Sequence, residues 1–161
     1  MNILFVCTGN VSRSFLAEML LKYEIKRHQL KNFSVSSAGI SAYSGSPGDP
    51  EMVNYLSKIG VPSENHRARA ITEKDVNMAD LILVMEKAHL KIIESQWPQV
   101  KDKVELLGKY IALDQAEDDI IDPYGMSQYY YRLAQSQITL AIRSLMKKLL
   151  SDSAESQNAE D

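Results

Sequence analysis

Four short apolar runs along the chain alternate with longer stretches in which apolar residues return every three or four positions. The runs are Ile-Leu-Phe-Val at 3–6, a segment at 33–38 centred on Val35, Leu-Ile-Leu-Val-Met at 81–85 and a weaker run at 104–107. The first and third are apolar on both faces, which suits central strands of a parallel sheet. Between them Leu16, Met19, Leu20 and Tyr23 recur at helical spacing with Glu18, Lys22 and Lys26 opposite, predicting a helix from near Ser14 to about Leu30. Asp49-Pro50 reads as an N-cap followed by the first helical residue, with Met52, Val53, Leu56 and Ile59 as the buried face and Gly60 as the stop. Thr72 and Asp75 have capping-box spacing, and residues 87–96 form a helix closed by Trp97-Pro98. Ser127 caps a last long helix whose buried face uses Ala134, Ile138, Ala141, Leu145 and Leu149. Strands alternating with helices predict a single α/β domain, a parallel sheet with helices on both faces.

Composition narrows the picture. A chain of 161 residues suits one domain with a full core, and 45% apolar and 24% charged residues are ordinary for a globular protein. A net charge of −3 gives no support for non-specific binding to nucleic acid or a membrane surface. No apolar run approaches membrane-spanning length, and the N-terminus enters a strand without a basic, cleavable leader, so the expected location is cytoplasmic. One cysteine excludes an internal disulfide and cysteine-rich zinc sites; His28, His66 and His89 lack metal-ligand spacing, so neither metal nor cofactor is expected. Beyond residue 150 the sequence is polar and acidic, which predicts a domain at 1–150 and a disordered tail at 151–161.

The chemistry gathers where the first strand meets the first helix, at Cys7-Thr8-Gly9-Asn10-Val11-Ser12-Arg13-Ser14. Backbone N–H groups of such a loop, together with the positive end of the following helix, fit a tetrahedral oxyanion. The same donors favour the ionised, nucleophilic form of a thiol held among them. Arg13 can curl back and offer a planar fork to two phosphate oxygens. A bare Cys-x5-Arg recurs by chance; here it follows a buried strand, contains Gly-Asn, ends in Arg-Ser and opens a helix. In a parallel α/β fold this position, the C-terminal end of a strand, is where ligands bind. An ionised thiolate attacking a phosphate ester needs an acid for the departing oxygen, far off in sequence. Asp122, stiffened by Pro123, opens the loop before the last helix; Asp118 and Asp119 are its rivals by proximity.

The loop Cys7 to Ser14 resembles the phosphate-binding loop of the low-molecular-weight protein tyrosine phosphatases, and Asp122-Pro123-Tyr124 matches that family's Asp-Pro-Tyr. The resemblance implies strand order 2-1-3-4. It implies a protein tyrosine phosphatase with Cys7 as nucleophile, Arg13 as phosphate clamp and Asp122 as general acid and then base, acting through a phosphocysteine. Thr8, Gly9, Asn10, Val11, Ser12 and Ser14 are the implied phosphate-binding residues. Tyr43 and Tyr124 are the implied walls of a slot for a phenyl ring. Ser37, in Ser37-Ala38-Gly39, and His66, in His-Arg-Ala-Arg, are the implied supports of the loop through Asn10 and Ser14. The implied partner is a phosphotyrosine protein or peptide, with inhibition by phosphate or vanadate and a monomeric state.

Three positions depart from the family pattern. Ser12 stands where many relatives carry a second cysteine, which removes an internal disulfide partner for Cys7. Phe15 replaces a frequent proline. Val11 stands where tyrosine phosphatases tend to carry isoleucine and a protein-arginine phosphatase branch carries threonine; its apolar side chain favours phosphotyrosine, with arginine phosphatase as the alternative. Arsenate reduction on this scaffold relays oxidation through further cysteines, which the chain lacks. A cysteine phosphocarrier or a phosphate-binding module is the alternative of another class; Arg13 and Asp122 argue against it.

Overall fold

The computed structural model describes residues 1–63, 65–111 and 119–158, the last three by backbone alone. Four strands, β1 (Asn2–Cys7), β2 (Ser34–Gly39), β3 (Leu81–Val84) and β4 (Val104–Leu106), form one sheet in the order β2-β1-β3-β4. All three pairings are parallel, with Cys7 opposite Gly39, Val6 opposite Val84, and Val84 opposite Leu106. Both the sheet and its order match the sequence expectation.

The helices are α1 (Arg13–Arg27), α2 (Pro50–Lys58), α3 (Glu73–Met78), α4 (Lys87–Gln96) and α5 (Gln128–Asn158). The period of two along β1 divides the core into two layers. Ile3, Phe5 and Cys7 face Leu16, Leu20, Met52, Leu56, Ala134, Ile138 and Leu145 of α1, α2 and α5. Leu4 and Val6 face Val76, Ile93, Trp97 and Val100 around α3 and α4. Cys7 therefore stands at the C-terminal end of the central strand, on the face covered by α1 and α5.

Local capping follows the expected chemistry. Asp49 Oδ1 accepts from the Glu51 N–H at the start of α2, and Thr72 and Asp75 form a reciprocal capping box on α3. Three expectations need correction. Ile59 lies past the end of α2 and is exposed, because Gly60 takes a positive φ of 73° and turns the chain away. Glu18, expected on the solvent side of α1, is buried because α1 lies along β2, where Ser37 donates to its carboxylate and Lys22 pairs with it at 2.8 Å. The expected disordered tail is helical as far as Asn158, where no glycine or proline interrupts the continuation of α5.

Candidate active site

The loop after β1 is held from several sides at once. Ile40 N–H donates to Cys7 O and Ser41 N–H to Thr8 O, both at 2.9 Å, which ties the loop to the chain leaving β2. Gly39 makes this approach possible, since a Cβ there would lie 2.7 Å from Thr8 O and 3.0 Å from Asn10 N. Asn10 takes a left-handed backbone (φ 56°), which asparagine tolerates better than most residues. That turn aims its N–H at Cys7 Sγ, 3.3 Å away, while Ser14 Oγ lies 3.0 Å from the same sulfur.

Under the loop runs a buried polar network. Asn10 Nδ2 donates to Ser14 Oγ (2.9 Å) and Ser37 Oγ (2.8 Å), Ser37 Oγ donates to Glu18, and Arg69 N–H donates to Asn10 Oδ1 (3.0 Å). His66 Nε2 meets Asn10 O at 2.5 Å, and its ring stacks on Phe15 with centroids 4.5 Å apart. Ser37 and His66, the loop supports that the resemblance implied, both bond to Asn10. Asn10 and Ser14, grouped by sequence with the phosphate-binding residues, sit in this network beneath the loop rather than on the pocket lining. Phe15 has more to do than open a helix: it is fully buried, backs His66, and packs so closely that a Cβ on Gly48 would come within 2.8 Å of its ring.

Above the loop is a cavity of about 480 Å³, lined by Cys7, Thr8, Gly9, Val11, Ser12 and Arg13 below and by Tyr43, Asp122 and Tyr124 around the mouth. Arg13 is 1% exposed, and its charge is compensated. Nη1 donates to Ile120 O (2.8 Å) and pairs with Glu86 (2.8 Å), and Nη2 stands 3.4 Å from Asp122 Oδ2. Glu86 also lies 3.4 Å from His89 Nε2, which in turn contacts Thr8 Oγ1 at 2.9 Å. Burial first, then the nearby Arg13 guanidinium, hold the His89 pKa below its ordinary value against the opposing pull of Glu86, Asp119 and Asp122.

The two rivals of Asp122 part company with it. Asp119 accepts from Lys87 N–H at 2.7 Å and so caps α4; Asp118 lies outside the described residues. Asp122 points into the cavity mouth, its Oδ1 accepting from Tyr124 N–H at 3.2 Å. Sequence reading missed Glu18, Asp49, Glu86 and His89, whose links to Ser37, Ser12, Arg13 and Thr8 join residues far apart in the chain. Asp49 had a local signal as an N-cap, but nothing in its spacing reveals that Ser12 and Tyr131 also donate to it. Among the described residues no group of three or more His, Cys, Asp or Glu is arranged to hold a metal ion.

The arrangement places a thiol, a guanidinium and a carboxylate around one cavity. The family model for low molecular weight phosphotyrosine protein phosphatase matches residues 2–155. A protein-arginine-phosphatase of Bacillus subtilis (strain 168) is 36% identical over 152 residues, covering 94% of this chain and 99% of the relative. A probable low molecular weight protein-tyrosine-phosphatase, EpsP, of Ralstonia solanacearum is 36% identical over 147 residues, covering 91% and 94%. Among solved structures, a mutant of the YwlE arginine phosphatase with a phosphorylated active-site serine superposes with a TM-score of 0.86 at 36% identity, covering 94% of this chain and 97% of that one. On the match of sequence and fold together, the chain belongs to the low molecular weight phosphotyrosine protein phosphatase family.

Proposed function

We propose that this protein hydrolyses phosphotyrosine in proteins or peptides through a phosphocysteine intermediate. The observation that carries the reading is the shared cavity, with Cys7 and Arg13 at its floor and Asp122, Tyr43 and Tyr124 at its mouth. Cys7 Sγ attacks phosphorus in line, forming the S–P bond as the ester P–O bond breaks, and Asp122 gives its proton to the departing phenolic oxygen. Asp122, now a carboxylate, takes a proton from the water that attacks the phosphocysteine; the S–P bond breaks and inorganic phosphate leaves. Arg13 and the loop N–H groups hold the equatorial oxygens throughout, so that catalysis is mainly positioning and electrostatic stabilisation.

Phosphotyrosine is favoured over phosphoarginine by the pocket's chemistry. Val11 brings an apolar side chain to the lining, and the exposed rings of Tyr43 and Tyr124 suit the two faces of a phenyl group. Arginine phosphatase is the second reading, supported by the similarity to the Bacillus subtilis relative. The wider reading is of a monomeric cytoplasmic enzyme that phosphate and vanadate inhibit by occupying the loop. Among the described residues no helix is long and apolar enough to cross a membrane.

Phosphate release from matched peptides, one bearing phosphotyrosine and one phosphoarginine, tests the reading. Preferential release from phosphotyrosine is expected. Preference for phosphoarginine replaces the substrate while keeping the chemistry, and multiple-turnover release from neither overturns hydrolysis in favour of a carrier or binding role.

A further inference from the structure

Behind the phosphate loop, three elements converge on Asp49, which is 4% exposed. Its Oδ2 accepts the hydroxyl of Ser12 in the loop and, at 2.7 Å, the phenol of Tyr131 in the first turns of α5. Its Oδ1 accepts the Glu51 N–H at 3.0 Å, and its own N–H donates to Val11 O at 2.8 Å. Two consecutive loop residues are therefore tied to one aspartate, which lines the same cavity as Cys7.

A carboxylate so placed would repel a phosphoryl dianion if its charge were left uncompensated. Three donors and the positive end of α2 engage both of its oxygens. Tyr131 is one of these donors and is itself 7% exposed. Burial, then its bond to Asp49, raises its phenol well above the ordinary tyrosine value, so it remains a donor across the working pH range.

We propose that Tyr131 is a positioning residue for the phosphate loop, acting through Asp49 on Val11 and Ser12. Its phenol fixes the carboxylate, and the aspartate keeps the loop N–H groups in the register that receives the phosphoryl oxygens. The proposal rests on the phosphatase reading. It also accounts for Ser12, whose hydroxyl is the loop end of a chain of bonds that begins on the last helix.

Tyr131→Phe removes one oxygen and keeps the ring, so the full chain carrying it is the probe, beside Ser12→Ala and the double variant. The readouts are kcat and KM on a phosphotyrosine peptide, the competitive inhibition constant of inorganic phosphate, and the melting temperature, with kinetics taken well below melting. Tyr131→Phe is expected to raise KM and the phosphate inhibition constant together by about tenfold. Ser12→Ala should do likewise, and the double variant should lose little more than the worse single one, because both act through one carboxylate. Unchanged phosphate inhibition with only a lower melting temperature overturns the proposal, and so do fully additive losses. Should Tyr131→Phe fail to fold, Ser12→Ala decides from the loop side, where unchanged phosphate inhibition is again fatal. A wild-type protein without turnover defeats the phosphatase reading instead; phosphate affinity by calorimetry then still tests the role of Tyr131.

Discussion

The two loops that meet at the cavity are built in opposite ways. Between Cys7 and Ser14 the residues Asn10, Ser12, Arg13 and Ser14 are 0–3% exposed, and the side chain of each is bonded to another element or to the loop itself. The 119–124 segment is anchored at its base, where Ile120 is buried and its N–H donates to Met85 O at 2.8 Å, but Asp122 and Tyr124 stand at the surface. Tyr124 is 67% exposed and Tyr43, across the mouth, 86%. The contrast matches the two proposed roles. Holding a tetrahedral anion demands fixed donors, since reorganisation at the moment of reaction is costly. Protonating the leaving oxygen of a protein substrate demands a group at the surface, where a bulky partner can reach it.

The largest effect should come from the buried loop. Cys7→Ser is expected to abolish turnover while inorganic phosphate still binds, as measured by calorimetry; near wild-type phosphate release would remove Cys7 as nucleophile. On the exposed loop, Asp122→Asn is expected to slow aryl-ester hydrolysis by on the order of 10²–10⁴. That loss should shrink for esters with very good leaving groups, and an equal loss across a leaving-group series would contradict the acid role. The melting temperature should hardly move, because the side chain is exposed.

Asn10→Ala offers the converse case. It leaves Ser14, Ser37 and the Arg69 N–H short of a buried partner and puts alanine at a left-handed position, so unfolding in urea should show a loss of about 1–3 kcal/mol. If Asn10→Ala leaves stability intact while Asp122→Asn lowers it, the contrast between the loops is wrong.

The smallest effect concerns His89, beneath Thr8. Its folded pKa lies below the ordinary 6.5, so the unfolded chain takes up the proton more readily. Its contribution is intact above about pH 6.5 and is lost as pH falls through the folded pKa. His89→Gln should therefore lose less stability than wild type between pH 7.5 and 5.5, as read by paired melting curves; parallel losses would remove His89 as a source of acid sensitivity.

Much of this design is local and so could be read along the chain. The apolar runs of β1 and β3, the helical repeats of α1 and α5, the Asp49-Pro50 start and the Thr72 capping box each depend on neighbours within a few residues. The strand-loop-helix that presents Cys7 and Arg13 is likewise one contiguous segment, and Asp122-Pro123-Tyr124 carries its own turn.

Such local signals specify an α/β fold with a cysteine at a strand end and an aspartate on a distant loop. Tertiary structure alone decided what holds them. Glu18 passes for a solvent-facing helix residue until α1 settles along β2 and brings it to Ser37, 19 positions away. Arg13 pairs with Glu86 and donates to the carbonyl of Ile120, 107 positions away, and Tyr131 reaches Asp49 across 82. A buried charge must find its partner wherever the packed chain supplies one, and that partner's place in the sequence is unconstrained. Periodicity reports which face an element buries; it carries no record of which polar group waits on the other side.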